Sequence, residues 1–208
     1  MTFIIAVAAP IGGGKTALVK GLAQALNGAS TLHFDHYELA TRKTPEELAR
    51  WLAAGADFNQ LSAPGLLCAL QALKRGEPVS DPAGGQMILP GDYLILEMPL
   101  GRAYAETAEL IDAVIWLDIP LDVALARKLR EFIAQALADE SEDPRGFLRW
   151  LDAYLDQYTE QVRAILQLQK QRVAAGADIV LDGMRPQHAL IADARQALDG
   201  IRASRGRG

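Results

Sequence analysis

Cysteine is nearly absent from this chain of 208 residues, which carries Cys68 alone. One thiol excludes an internal disulfide and a cysteine-built metal site. Its apolar neighbours predict a place in a helix core. Histidine is scarce too, and His33, His36 and His188 are too scattered for a zinc site. No apolar run approaches the roughly 18 residues that cross a bilayer, so no membrane partner is expected. Met1–Ala9 is apolar but lacks the basic start of a secretory leader, so it reads as a first strand and the chain as cytoplasmic. Positive charge is in deficit, with 21 Lys and Arg against 26 Asp and Glu and a net charge of −5. That balance argues against nucleic acid as a partner. There is no internal repeat and no long linker, and the length suits one α/β domain with its own core.

What the chain does have is a set of short apolar runs separated by helical stretches. Phe3–Ala8, Ser30–Phe34, Tyr93–Glu97, Ala113–Leu117 and Asp178–Leu181 read as five strands. Between them, Lys15–Leu26, Pro45–Ala54, Ala63–Lys74, Leu121–Ala138, Pro144–Ala174 and Gln187–Leu198 read as helices, with Thr44 as an N-cap. Strands that are apolar throughout and alternate with helices predict a five-stranded parallel sheet with helices on both faces. Ser80–Pro90, rich in Gly and Pro, reads as loop. Residues 1–200 form one domain in this reading, with a helical lid near 128–150. The Arg- and Gly-rich segment 201–208 reads as a frayed, flexible tail.

The most informative stretch is Ala9-Pro-Ile-Gly-Gly-Gly-Lys-Thr16, placed between the first strand and the first helix. It departs from the Gly-x-x-x-x-Gly-Lys-[Ser/Thr] phosphate loop only at Ala9, which fits if φ there is ordinary. Glycines let successive N–H groups point inward at phosphate oxygens, and the helix N-terminus adds positive potential. Ile11, Gly12, Gly13, Gly14, Lys15, Thr16 and Ala17 are therefore the candidate ATP cradle. Lys15 would reach the β and γ phosphates and the Thr16 hydroxyl would ligate Mg²⁺. The fold class that follows is the P-loop NTPase fold.

Ligands in parallel sheets bind beyond the carboxyl ends of the strands. Asp35 and Glu97 stand at such ends and are candidates to share a cleft with Lys15. Asp35 is the candidate base for an acceptor hydroxyl. Glu97 is the candidate second metal ligand, with Thr16. Asp118 more readily shapes the turn into the next helix. His36 and Tyr37 adjoin Asp35 and are candidates for the acceptor pocket, whereas His33 reads as a partly buried structural residue. On the helix after the fourth strand, Arg127 and Arg130 share a face and Lys128 sits off it. Arg127 and Arg130 are candidates to close over the triphosphate.

Taken together, these residues resemble the uridine kinase and phosphoribulokinase family. The likeness rests on the phosphate loop, Phe34-Asp35-His36-Tyr37, Asp57-Phe58-Asn59, Leu66-Leu67 with Leu70 and Leu73-Lys74-Arg75-Gly76, Leu96-Glu97, Arg127–Arg130, Tyr158 with Val162, and Ala177-Asp178-Ile179-Val180. The resemblance implies an ATP- and Mg²⁺-dependent kinase of a small alcohol, with Asp35 as base, Asp57 and Phe58 in the acceptor segment, and pairing into a homodimer. Ala83-Gly84-Gly85-Gln86 replaces the family's aromatic-and-arginine nucleoside segment, so a sugar-like or vitamin-like alcohol fits as well as a nucleoside. Two alternatives stand beside this. A nucleotide-monophosphate kinase would hold an acceptor phosphate with Arg42, Lys43 and Arg102. A non-kinase P-loop protein would only bind or hydrolyse ATP. A GTPase would want a guanine-reading Asn-Lys-x-Asp, which the chain lacks.

Overall fold

A computed structural model describes residues 1–38, 44–139 and 143–205. Five strands build the main sheet: β1 (Phe3–Ala8), β2 (Ala29–His33), β5 (Tyr93–Glu97), β6 (Ala113–Asp118) and β7 (Ile179–Asp182). All pairings are parallel and the spatial order is β2-β5-β1-β6-β7. The expected strands are in place to within one residue. The Gly/Pro stretch is not all loop, because β3 (Val79–Ser80) and β4 (Met87–Ile88) pair as a small antiparallel hairpin.

Successive side chains of a strand point to opposite faces, and β1 divides on that rule. Ile4, Ala6 and Ala8 join Leu94, Leu96 and Trp116 on one face, beneath α2 (Pro45–Ala53) and α3 (Leu66–Arg75). Ile5, Val7 and Ala9 join Ile95 and Ile115 on the other, beneath α1 (Lys15–Ala25) and α8 (Gln187–Arg205). Each fully buried Leu or Ile contributes about 1.5–3 kcal/mol, so the two layers fix the strand register firmly. Thr44 caps α2 as expected, in a full capping box with Glu47. Cys68 does not lie in the core. It is exposed on α3, whose Leu66, Ala69, Leu70 and Leu73 form the buried stripe.

A short helix α4 (Ala105–Ala108) follows β5, and the helices α5 (Leu121–Ala138) and α6 (Pro144–Gln157) follow β6. Phe132 of α5 meets Trp150 and Tyr154 of α6 edge to face, and Trp150 stacks with Phe147 and Tyr154 along α6. The helical run then continues to Ala174 with two interruptions. Tyr158–Val162 and Lys170–Ala174 are π-helical and bracket α7 (Arg163–Gln169). Such π turns re-aim the side chains beside them and are frequent at functional sites. α8 runs through Arg205, into the segment read as a frayed tail, with Ile201 packed on the core and Arg202 over the Tyr93 ring; residues 206–208 lie outside the described residues. Among the described residues no helix is long and apolar enough to cross a membrane.

Candidate active site

The loop after β1 turns by virtue of its glycines. Gly12 and Gly14 have φ of 72° and 92°, in the left-handed region that L side chains avoid. A Cβ on Gly13 would stand 2.8 Å from the Ala9 Cβ and the Pro10 carbonyl oxygen. Ala9 has no positive φ and its methyl is buried in the core, so it replaces glycine without strain. Gly14 is the N-cap of α1 and the helix opens on Lys15 and Thr16, aiming its free N–H groups at the loop's hollow.

That hollow is a cavity of about 480 Å³. The cradle residues Ile11, Gly12, Gly14, Lys15, Thr16 and Ala17 line it, with Asp35 and Glu97 from the neighbouring strand ends and Arg127, Lys128 and Glu131 from α5. Gly13 faces a smaller hollow on the other side of the loop, shared with Arg127, Gly183 and Arg185. Asp35 lies in a short 3₁₀ turn directly after β2.

Glu97 is held at both oxygens. The Thr16 hydroxyl lies 2.8 Å from Oε1, and His33 Nδ1 lies 2.9 Å from Oε2. Burial pushes the Glu97 carboxyl up, but the bonds from His33 and Thr16 and the charge of Lys15 outweigh burial and bring it below its ordinary value. His33 is raised, first through its bond to Glu97. His33 thus orients a carboxylate of the site rather than serving structure alone. The Thr16 and Glu97 oxygens fit Mg²⁺, which takes one or two protein oxygens and completes its shell with phosphates and water. Among the described residues no group of three or more His, Cys, Asp or Glu could form a metal cage.

The Lys15 ammonium donates to the Ala9 and Pro10 carbonyls at 3.1 and 3.4 Å. Burial lowers its pKa, against the opposing charges of Glu97 and Asp35. Burial raises that of Asp35, and Lys15 opposes the rise.

A second cavity of about 450 Å³ opens on the far side of Lys15 and Asp35, which line both. Its walls are apolar, from Trp51, Phe58, Leu61, Leu100, Ile165 and Leu166. Phe58, a candidate of the acceptor segment, is one of these wall residues. Its neighbour Asp57 does not line the cavity. It caps the 3₁₀ turn Phe58–Gln60 and accepts from Asn59.

Three further expectations change. Tyr37 is buried in the core cluster of this face of the sheet and lines neither cavity. His36 turns away to the Asp81 carboxylate, 2.8 Å off, beside the β3–β4 hairpin. On α5, Arg127 faces the phosphate cavity while donating to the Gly183 carbonyl, but its partner there is Lys128, and Arg130 is exposed outside it. Helical phase alone paired Arg127 with Arg130. The cavity instead straddles the two faces of α5, because the helix crosses directly over Gly12.

Arg102 is displaced furthest from its expected role. It binds the Ile111 and Asp112 carbonyls and the Asp178 carboxylate. These residues precede β6 and β7, at the opposite edge of the sheet from the cradle. Arg42 and Lys43 lie outside the described residues. Asp118 is paired with Lys170, at 2.6 Å, outside both cavities. Sequence reasoning missed Lys128 and Gln169. Lys128 sits off the face that Arg127 and Arg130 share, and nothing in the sequence singles out Gln169.

Solved structures with a similar fold include one from Bacillus stearothermophilus described as a possible uridine kinase. It matches with a TM-score of 0.56 and 14% identity over 87% of this chain and 89% of that one. A sugar kinase from Janibacter matches at TM-score 0.50 and 19% identity over 96% and 95%. A shikimate kinase from Acinetobacter baumannii, solved with shikimate, matches at 0.50 and 18% over 96% and 94%. The chain has the fold of the P-loop small-molecule kinases. No family profile matches it, and no curated protein matches it by sequence. Within the P-loop kinase fold, the cradle, Lys15 and Glu97 therefore occupy the carboxyl edge of the sheet, where ligands of open α/β sheets bind.

Proposed function

We propose that this protein is an ATP- and magnesium-dependent phosphotransferase that moves the γ-phosphoryl group of ATP to a hydroxyl of a small molecule. The observation that carries the reading is the shared wall. Lys15 and Asp35 line both the polar cavity of the phosphate loop and the apolar cavity beside it. A donor in the first and an acceptor in the second would meet at these two residues.

The N–H groups of the loop and of the first turn of α1 hold the triphosphate. Lys15 leaves its carbonyl partners for the β and γ phosphate oxygens. Arg127 and Lys128 neutralise charge on the transferring group from above. Thr16 and Glu97 would hold magnesium, which when bound would supply further charge neutralisation. Asp35 accepts the proton of the acceptor hydroxyl as its oxygen forms the bond to phosphorus and the bond to ADP breaks. Arg102, committed to the opposite edge, gives no support to a monophosphate acceptor.

Asp35→Asn tests the assignment. The expected result is a fall in kcat of about 10²–10⁴-fold with ATP affinity, measured by calorimetry, nearly unchanged. Turnover near wild type with a panel of nucleosides, neutral sugars and vitamin-like alcohols removes Asp35 from the chemistry.

A further inference from the structure

The part of the second cavity formed by Trp51 and Phe58 hangs on an unusual corner of the chain. At the end of α2 the Gly55 N–H donates to the Leu52 carbonyl at 3.0 Å and the Ala56 N–H to the Trp51 carbonyl at 2.9 Å. This is a Schellman ending, which needs one left-handed residue, and Gly55 supplies it at φ 93°. The next residue is left-handed as well. Ala56 has φ 48°, the one positive value at a non-glycine among the described residues, and it is fully buried. Backbone strain of this kind persists where the surroundings over-determine it.

Arg172 provides those surroundings. Its Nη1 donates to the Ala56 carbonyl at 2.6 Å and its Nη2 to the Gly55 carbonyl at 2.7 Å. The guanidinium also lies over the Phe58 ring, 5.2 Å from the centroid. Trp51 Nε1 takes the following carbonyl, that of Asp57, at 3.1 Å, and its ring stacks with Phe58 at 6.1 Å. Three successive carbonyls, from 55 to 57, thus end on two side chains, and both of these side chains meet Phe58.

Arg172 comes from a different part of the cavity's frame. It stands in the second π turn, which continues α7, and Ile165, Leu166 and Gln169 of α7 line the same cavity as Trp51 and Phe58. Arg172 itself lines neither cavity. Its planar fork presents two donors in fixed geometry to two carbonyls, which a lysine ammonium cannot reproduce. One guanidinium therefore ties the aromatic lining residues to the helix that carries the aliphatic ones.

We propose that Arg172 is a positioning residue for the acceptor: it pins the corner at Gly55 and Ala56, and so sets where Trp51 and Phe58 stand relative to α7. The inference rests on the kinase reading for the word acceptor, and one arm of its test needs no turnover.

That arm is amide hydrogen exchange of the nucleotide-free protein, wild type against Arg172→Met, well below melting. The expected result is exchange about tenfold or more faster in residues 54–61, as loss of two hydrogen bonds gives, with the cradle residues 11–17 within a few fold. The second arm is kinetic, with whichever nucleoside, neutral sugar or vitamin-like alcohol the wild type phosphorylates best. Arg172→Met should raise the KM for that alcohol about tenfold or more, leaving kcat and the KM for ATP within a few fold. Arg172→Lys, with the charge but not the fork, should fall between. A merely structural role would lower the melting temperature and leave these constants as in the wild type.

An unchanged acceptor KM in folded Arg172→Met overturns the proposal, as does faster exchange spread evenly over the chain. A KM for ATP that rises in step with that of the acceptor overturns it too. Should Arg172→Met fail to fold, Arg172→Lys decides, and wild-type exchange and KM in that variant overturn the proposal. If the wild type phosphorylates no alcohol, the kinase reading falls, and local exchange alone decides whether Arg172 holds the cavity's wall. Faster local exchange with an unchanged acceptor KM defeats this inference and leaves the kinase reading standing.

Discussion

Asp35 is a carboxyl pulled in opposite directions. Burial raises its pKa, Lys15 opposes that, Glu97 and Glu38 add to it, and the net displacement is upward. The folded value therefore exceeds the unfolded one, so the native state binds the proton more tightly than the unfolded chain does. Below the ordinary aspartate value, near 3.9, both states are protonated and the site costs nothing. As pH rises through the raised value the ionised carboxylate begins to subtract from stability, and above it the penalty is complete. Asp35→Asn should therefore melt higher than wild type at pH 7 to 8, with the difference shrinking as pH falls towards the aspartate range. The wild-type kcat/KM should rise with pH across the same interval. Melting curves across that range check the sign, and a difference independent of pH rejects the account. The residue itself was legible in the sequence because a carboxylate after an apolar run is conspicuous. Gln169 was not, since nothing in a helical stretch marks which side chain lines a cavity.

At the scale of elements, the strands were readable because burial on both faces leaves them apolar from end to end, and β1, β5 and β6 are such runs. The π turns after Tyr158 and after Lys170 were not readable, because they keep the composition of the helix and alter only its phase. The contact between α5 and the phosphate loop was equally hidden. A Cβ on Gly12 would lie 2.1 Å from the Ala124 carbonyl oxygen and 3.1 Å from the Lys128 Cβ, so the loop and α5 touch backbone to backbone. That contact is what carries Lys128 into the cavity. Gly12→Ala must therefore both strain a positive φ, at about 1–2 kcal/mol, and push α5 away, at about 1–3 kcal/mol more. Gly14→Ala faces open space and meets the first cost alone. Denaturant unfolding should rank Gly12→Ala as the less stable by at least the second amount, and equal stability of the two variants would show that α5 is not docked on the loop.

The whole molecule divides its polar residues between the two ends of one sheet. At the carboxyl edge Lys15, Asp35 and Glu97 face cavities, in environments that displace their proton affinity. At the amino edge they satisfy one another. Asp112 takes Lys74 at 3.0 Å, Arg205 at 3.1 Å and the Ile4 N–H at 2.8 Å, and Arg102 joins Asp112 to Asp178. Sequence could not sort Arg102 to the second group, because its edge is set by topology and not by its neighbours in the chain. The same division explains why α8 runs on to Arg205. Arg202 lies over Tyr93 and Arg205 over Phe3, and Arg205 reaches Asp112, all at the amino edge, while Ile201 packs on the core layer that holds Leu22 and Leu198. Partial burial of Ile201 contributes about 1 kcal/mol, and the exposed ion pair and ring contacts add roughly 0.5–1 kcal/mol. A chain ending at Gly200 should then melt about 3–8 °C lower, at about 2–4 °C per kcal/mol for this length, and Ile201→Ala alone should account for roughly half of the drop. Because none of these contacts lies at the carboxyl edge, kcat and KM below the melting range should match the full chain. An unchanged melting temperature in the shortened chain would return the segment to the status of a frayed tail. Lost activity with intact stability would mean that the two ends of the sheet are not energetically separate.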